Sequence, residues 1–330
     1  MILLLACVEP GPVAPGDSDD SGGSEATLVL PERVQLGTTL PGAALSGSLD
    51  LCVEGDGALA WTLSTDGVDA SVLSGHTRAG ECGTVHIEWA GATDEAALLE
   101  GGLTVTAQGV ETAIPVYGAV VDPALPTADW TADAWGVWTI ADLPSAPFPD
   151  GSGTYDDASV LVWRPLGWRD GTEVNVVTHF HGHNATVEEV LSTQWLREQA
   201  AVSGRDAILV VPQGPVEAAS GDFGKLDQPG GHAALVREAI TLLYRDGWVA
   251  APVAGMQVLT THSGGYNAVA NVVESGGLPV SAVHLFDALY GRDSAFEAFA
   301  LSGGVLRSIY TDGGGTDENN RALRDTLEGE

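Results

Sequence analysis

The feature that most constrains this chain is a change of rhythm near residue 156. Beyond it, apolar runs alternate with amphipathic ones. Ala158–Trp163, Glu173–Phe180, Ala207–Pro212, Met256–Thr261, Ser281–Asp287 and Val305–Thr311 read as strands. Val187–Ala201, His232–Arg245, Tyr266–Glu274 and Glu318–Leu327 carry the helical period between them. The first of these helices puts Val187, Val190, Leu191 and Trp195 on one face, and the second puts Val236, Ile240, Leu243 and Tyr244 there. A run such as Ala207–Pro212, apolar on both faces, suits a strand covered on both sides. Strand–helix alternation of this kind predicts an α/β domain over 156–330 built on a parallel, doubly wound sheet.

Before residue 123 the rhythm is different. Ala26–Leu30, Ser48–Val53, Ala58–Ser64, Gly83–Trp89, Gly102–Ala107 and Thr112–Val120 alternate Thr, Val, Leu and Trp with polar residues, and Gly or Asp separates the runs. Residues 26–122 therefore read as an all-β, antiparallel sandwich. Its opening Pro31-Glu-Arg-Val-Gln-Leu-Gly37 resembles the first strand of Ig-like modules of the ASPM/SPD-2/Hydin type, which implies a spacer or adhesion module without chemistry. Residues 123–155 form a Pro-, Asp- and Trp-rich linker that reaches the first strands of the second domain. Its Trp130, Trp135 and Trp138 read as packing groups rather than a sugar platform.

Charge narrows the partners. Forty-five acidic residues face thirteen basic ones, for a net charge of -32. Such a chain repels phosphate backbones and anionic headgroups, so no nucleic-acid partner is expected, and the acidity reads as a solubilising surface. No run approaches the ~20 apolar residues of a spanning helix. Leu4-Leu-Ala-Cys7 resembles a bacterial lipobox. That resemblance implies a signal at 1–6, lipid on Cys7, and membrane attachment through that lipid alone. The apolar run holds only five residues, Ile2–Ala6, with no basic residue inside or before it. Residues 7–25, rich in Gly, Pro, Ser and Asp, suit a flexible acidic tether. The expected location is the cell envelope, periplasmic or at the cell surface. Cys52 and Cys82, an even pair in a non-cytosolic setting, read as a disulfide.

The chemistry concentrates in Val258-Leu-Thr-Thr-His-Ser-Gly-Gly-Tyr266, an apolar strand running straight into a helix. It resembles the nucleophile elbow of α/β-hydrolases, G-x-S-x-G. Ser263 takes the nucleophile position. Gly265 supplies the small residue two places on, and Thr261 stands where the family has glycine. A second stretch, Val174-Asn-Val-Val-Thr-His-Phe-His-Gly-His-Asn184, resembles the strand and H-G-x loop of the same family. His181 lies 82 residues before Ser263. The resemblance implies an oxyanion hole made by the backbone N–H groups of His183 and Gly264. The same residues carry another reading. His179, His181 and His183 alternate, so in a strand they would share a face and could hold zinc. They resemble the H-x-H-x-D-H pattern of metallo-β-lactamase-type hydrolases, with His183 and Asn184 standing where its acid and last histidine belong.

In the family's chain order the acid follows the serine. Asp287 and Asp312 both end strands after Ser263. Asp287 is preferred, because Gly313-Gly-Gly-Thr316 makes the surroundings of Asp312 a mobile loop. A histidine should come last, yet the final histidine is His284. Either the α/β domain is C-terminally incomplete as given, or the chain is a pseudoenzyme, or His181, His183 or His262 takes the role of base. Neither a G-x-G-x-x-G fingerprint nor a Walker A loop is present, and no cofactor is expected. The expectation is an exported serine esterase acting on a small-molecule or polymer ester. The alternatives are an inactive binding protein of the same fold and a zinc hydrolase using the three histidines.

Overall fold

The fold is described from a computed structural model, in which residues 25–91, 94–146, 157–214 and 223–329 are described. Cys7 and the tether before residue 25 lie outside them. Nine strands come first. They are β1 (Thr27–Val29), β2 (Val34–Thr39), β3 (Ser46–Glu54), β4 (Ala58–Asp66), β5 (Val68–Ala70), β6 (Ser74–Arg78), β7 (Cys82–Trp89), β8 (Ala97–Ala107) and β9 (Val110–Val120). They form two sheets, ordered β1-β3-β7-β5 and β2-β9-β8-β4-β6. Period-two patterning causes the sandwich. Leu49 and Leu51 on β3 and Val85 and Ile87 on β7 meet Leu63, Leu103, Val105, Ile114 and Val116 of the other sheet. Each such aliphatic side chain, removed from water, contributes about 1.5–3 kcal/mol. One pair departs from the antiparallel expectation, since β2 runs parallel to β9. Cys52 and Cys82 sit opposite each other on β3 and β7 and are bonded. Closing a 30-residue separation corresponds to about 3–4 kcal/mol in the chain-entropy model.

The second body is an eight-stranded sheet. Its strands are β10 (Thr131–Ala132), β11 (Gly136–Asp142), β12 (Ser159–Pro165), β13 (Val174–Phe180), β14 (Ala207–Pro212), β15 (Ala254–His262), β16 (Val280–Phe286) and β17 (Val305–Ile309), in the order β10-β11-β12-β14-β13-β15-β16-β17. From β14 to β17 the pairs are parallel. The expectation of an all-parallel sheet fails at the other end, where β10, β11, β12 and β14 pair antiparallel.

Among the described residues six α-helices accompany the sheet: α1 (Val187–Gln194), α2 (Leu196–Val202), α3 (Gly231–Arg245), α4 (Tyr266–Ser275), α5 (Asp293–Leu301) and α6 (Asp317–Gly329). Side chains of α3, α4, α5 and α6 pack with Val174, Val176, Leu259, Val283 and Leu285 on one face. The α1 residues Val187 and Leu191 pack with Leu161, Trp163, Leu209 and Val211 on the other, and α2 adds Leu196, Ala200 and Ala201. The single helix expected over Val187–Ala201 is two. Trp195 adopts a left-handed conformation, with φ of 55°, and is 62% exposed, so the apolar stripe ends at Leu191.

The two bodies share a core. Tyr117, Ala119 and Val121 at the end of β9 join the cluster around α3, and the Tyr244 hydroxyl donates to the Tyr117 carbonyl at 3.1 Å. Burial pushes the Tyr244 phenol up to about 12, which keeps it a donor. Of the linker tryptophans, Trp130 meets Trp248 edge to face at 5.8 Å, Trp138 lies under the Arg197 guanidinium, and Trp135 is exposed.

On α3, His232 is fully buried and its Nε2 lies 3.0 Å from Thr178 Oγ1 on β13. Burial lowers its pKa to about 4, so the folded chain holds it neutral while the unfolded chain takes up a proton near pH 6.5. Stability carried by this group is complete above about pH 6.5 and falls as pH drops towards 4. Between pH 7 and 5 the unsubstituted chain should lose about 2 kcal/mol more than His232→Gln in urea unfolding. Parallel losses in the two proteins would remove His232 as the cause.

Candidate active site

Ser263 follows directly on β15 and opens a 3-10 turn, Ser263–Gly265, that runs into α4. Its φ is 51°, a left-handed value that a non-glycine residue holds at a cost of about 1–3 kcal/mol. The surroundings enforce it. A methyl group on Gly265 would stand 2.7 Å from the carbonyl oxygens of both Phe180 and His181, and nearer still to Thr261 Oγ1. The end of β13 therefore presses on the residue two places after the serine. Thr261, two places before it, is fully buried, and its hydroxyl has no hydrogen-bond partner among the described residues. Threonine thus fills the space where the resembled motif has glycine.

The His181-Gly182-His183 turn lies against this elbow. A methyl group on Gly182 would stand 3.1 Å from Ser263 Cβ and 3.0 Å from the His262 carbonyl oxygen. The structure thereby brings together Ser263, Gly264 and the loop that carries the His183 amide. The serine side chain is half-buried at the head of α4 and makes no hydrogen bond among the described residues. Negative charge developing there would face the positive end of the helix dipole.

The three histidines of the rival reading diverge. β13 ends at Phe180, so the alternation that would align them stops after His179. The His179 Nδ1 lies 2.9 Å from Thr260 Oγ1, and burial, followed by the charges of His181 and His262, lowers its pKa to about 3. His181 is also buried. Gly214 N–H donates to its Nε2 at 2.7 Å, so Nδ1 carries the proton and donates to the Gly182 carbonyl at 2.8 Å. Burial lowers its pKa as well. With its lone pair occupied, His181 serves the loop rather than proton transfer. His183 is exposed, with no side-chain hydrogen bond among the described residues. Among the described residues no three His, Cys, Asp or Glu side chains are placed to hold a metal ion.

The two acids differ. Asp287, at the end of β16, has φ of 45°. Its carboxylate accepts from Thr311 Oγ1 at 2.6 Å, Thr311 N at 2.8 Å and Thr316 Oγ1 at 3.1 Å. The Thr311 bonds, side chain first, hold its pKa below the usual carboxylate range, and the His262 imidazole adds to the effect. Asp312 is an exposed partner of Arg321. The threonines that fix Asp287 carried no signal in the sequence. Nor did Gln213, which accepts from Val187 N at 2.9 Å and lies 3.1 Å from His181 Nε2.

No protein-family model and no curated protein sequence matches the chain. Solved structures resemble each half at low identity. The ASH/PapD-like domain 7 of human CEP192 is 12% identical over 34% of this chain and 99% of its own, with a TM-score of 0.26. A tributyrin phosphonate-inhibited esterase B from Lactobacillus rhamnosis is 14% identical over 53% of this chain, with a TM-score of 0.33. The chain spans 56% of that enzyme's length. A hyperthermophilic esterase from the archaeon Pyrobaculum calidifontis is 20% identical over 40% of each chain, with a TM-score of 0.27.

The crowding at the elbow is directly testable. Gly265→Ala should destabilise the chain by about 1–3 kcal/mol, because backbone carbonyls cannot yield as a side chain would. Gly291→Ala, where the nearest atom stands at 3.6 Å, should cost less. Equal urea midpoints for the two variants would show that the elbow is not packed as described.

Proposed function

We propose that the chain is a serine hydrolase that cleaves a carboxylic ester outside the cytoplasm. The observation that carries this reading is the left-handed Ser263 at a strand-to-helix junction, held there by Gly265 and faced by Gly182. A strained turn of this kind lifts a hydroxyl clear of the sheet, where a substrate carbonyl can approach it. Ser263 attacks. The Gly264 and His183 amides receive the oxyanion, at about 2.7–4 kcal/mol for a donor of this kind. Asp287, ionised and fixed by Thr311 and Thr316, is the acid that orients the imidazole taking the serine proton. Among the histidines beside the elbow, His183 has its side chain unengaged, whereas His181 does not. No observation favours the zinc reading, since its three imidazoles point to separate surroundings.

A fluorophosphonate probe separates an active site from a chain that keeps only the fold. Labelling should occur and be lost in Ser263→Ala. Asp287→Asn should slow ester turnover about 100-fold or more. His183→Ala keeps the backbone donor while removing the imidazole, and should slow labelling if that side chain is the base. Labelling that persists in Ser263→Ala would overturn the nucleophile assignment.

Export is supported by the Cys52–Cys82 bond, which belongs to an oxidising compartment. Among the described residues no helix is long and apolar enough to cross a membrane. Lipid on Cys7 is the proposed anchor, on the lipobox-like Leu4-Leu-Ala-Cys7. In cells, Cys7→Ser should move the protein from the detergent phase to the aqueous phase. A variant that still partitions into detergent would rule out attachment through that cysteine.

A further inference from the structure

Among the described residues, one face of the parallel strands is left largely uncovered. Helices α3 to α6 share a core with one side of β13, β15 and β16. On the other side α1 and α2 reach β12 and β14, and the rest opens as a groove of about 950 Å³. Parallel strands are ordinarily buried on both faces, so this floor is suited to an occupant. Ladder register divides the floor into rows, each taking one residue from every strand. The first row, Val177, Val258, Ala282 and Val305, is wholly apolar. Four strands spaced about 4.8 Å apart make such a row roughly 14 Å long. The next row is His179, Thr260, His284 and Arg307. It contains no carboxylate, in a chain with 45 acidic and 13 basic residues. Arg307 Nη1 lies 3.4 Å from His284 Nε2. At the other end His179 is 1% exposed, and its Nε2 has no partner in hydrogen-bonding geometry among the described residues. Asp206, the one acid among the described residues of the groove wall, is already held by Arg169, with Nη2 to Oδ2 at 2.6 Å.

We propose that this groove binds a long-chain carboxylate, its head on the row of His284 and Arg307 and its tail along the apolar row. A guanidinium presents paired N–H donors that match a carboxylate, and the acid-free row leaves that donor set unopposed. The apolar row gives the chain a dry bed, on which each buried methylene strengthens binding about fourfold. A cationic head would meet Arg307 and two imidazoles instead of a counter-charge. The site lies on the sheet face and stands whether or not Ser263 is a nucleophile.

Isothermal titration calorimetry on the purified full chain tests it, with dodecanoate, dodecanol and dodecyltrimethylammonium as probes below their aggregation concentrations. Dodecanoate should bind with a dissociation constant of roughly 10 μM, and the neutral and cationic probes about tenfold or more weaker. Arg307→Glu should weaken dodecanoate by about tenfold or more. Ala282→Phe, which fills the apolar row, should abolish binding while circular dichroism stays unchanged. Equal affinity for the cationic probe overturns the proposal, as does binding that survives both substitutions. So does the absence of any binding heat with the unsubstituted chain, the result expected if a protein segment already fills the groove. The three probes decide the matter on the unsubstituted protein even if a variant fails to fold.

Discussion

The close approach of three backbone segments at the head of α4 is the constraint on which the rest of the second body depends. β15 must stop, turn through a left-handed residue and enter a helix within the space left by the end of β13. Gly265 meets the carbonyl oxygens of Phe180 and His181, and Gly182 meets Ser263. The first contact leaves no room for a side chain, and the second only a tight one. The strain at Ser263 is therefore not free to relax, because both neighbouring segments are themselves pinned. His181 ties its loop to Gly214, and Gln213 ties the start of α1 to the same place. One hydrogen-bonded imidazole thus couples the loop beside the serine, the end of β14 and the helix that covers it. Its neutrality, enforced by burial, is what allows it to accept from one amide and donate to one carbonyl.

A second constraint acts at a distance from the elbow. The end of β9 enters the same core as α3, and Tyr244 closes the junction through the Tyr117 carbonyl. α3 also presents His232 to Thr178, one residue before the strand end that carries His179 and Phe180. The sandwich, the helix and the strand under the candidate site therefore form a continuous packed path. A sandwich hung on a flexible linker would leave α3 exposed along one side. Here it supplies the apolar cover that α3 needs, so its role includes burying part of the second body.

Much of this was legible in the sequence, for reasons that differ by element. Ala207–Pro212 was readable because a strand buried on both faces must be apolar throughout. The strand-to-helix turn at Ser263 was readable because an apolar strand, a serine followed by two glycines and a helix follow one another without a gap. What escaped the sequence depended on partners far along the chain. The break at Trp195 was hidden because its apolar side chain continues the stripe of α1, although the backbone turns left-handed there. The antiparallel direction of β12 leaves no trace in its own residues, since direction is set by what it pairs with. Two acids ended strands and looked alike. They are distinguished by Thr311 and Thr316, which fold back onto Asp287 from beyond β17. His179, His181 and His183 looked like one face because alternation was extrapolated past Phe180, where the strand stops.

The distribution of charge gives the acidic composition a structural meaning. A net charge of -32 spread over the surface raises the cost of bringing any anion close. An anionic ligand or a developing oxyanion can then be accommodated only where the local field is reversed. Among the described residues, the head of α4 and the proposed binding row on the sheet face have features of that kind. At the head of α4, backbone N–H groups and the helix dipole supply positive potential without a formal charge. On the bare sheet face, Arg307 supplies it with a side chain, beside the His284 imidazole, whose pKa burial and Arg307 both lower. They lie on neighbouring parts of the same strands, since β15 carries Thr260 on one and Ser263 follows it on the other. The acidity elsewhere sets off both regions, since one presents a helix N-terminus and the other a row without a carboxylate.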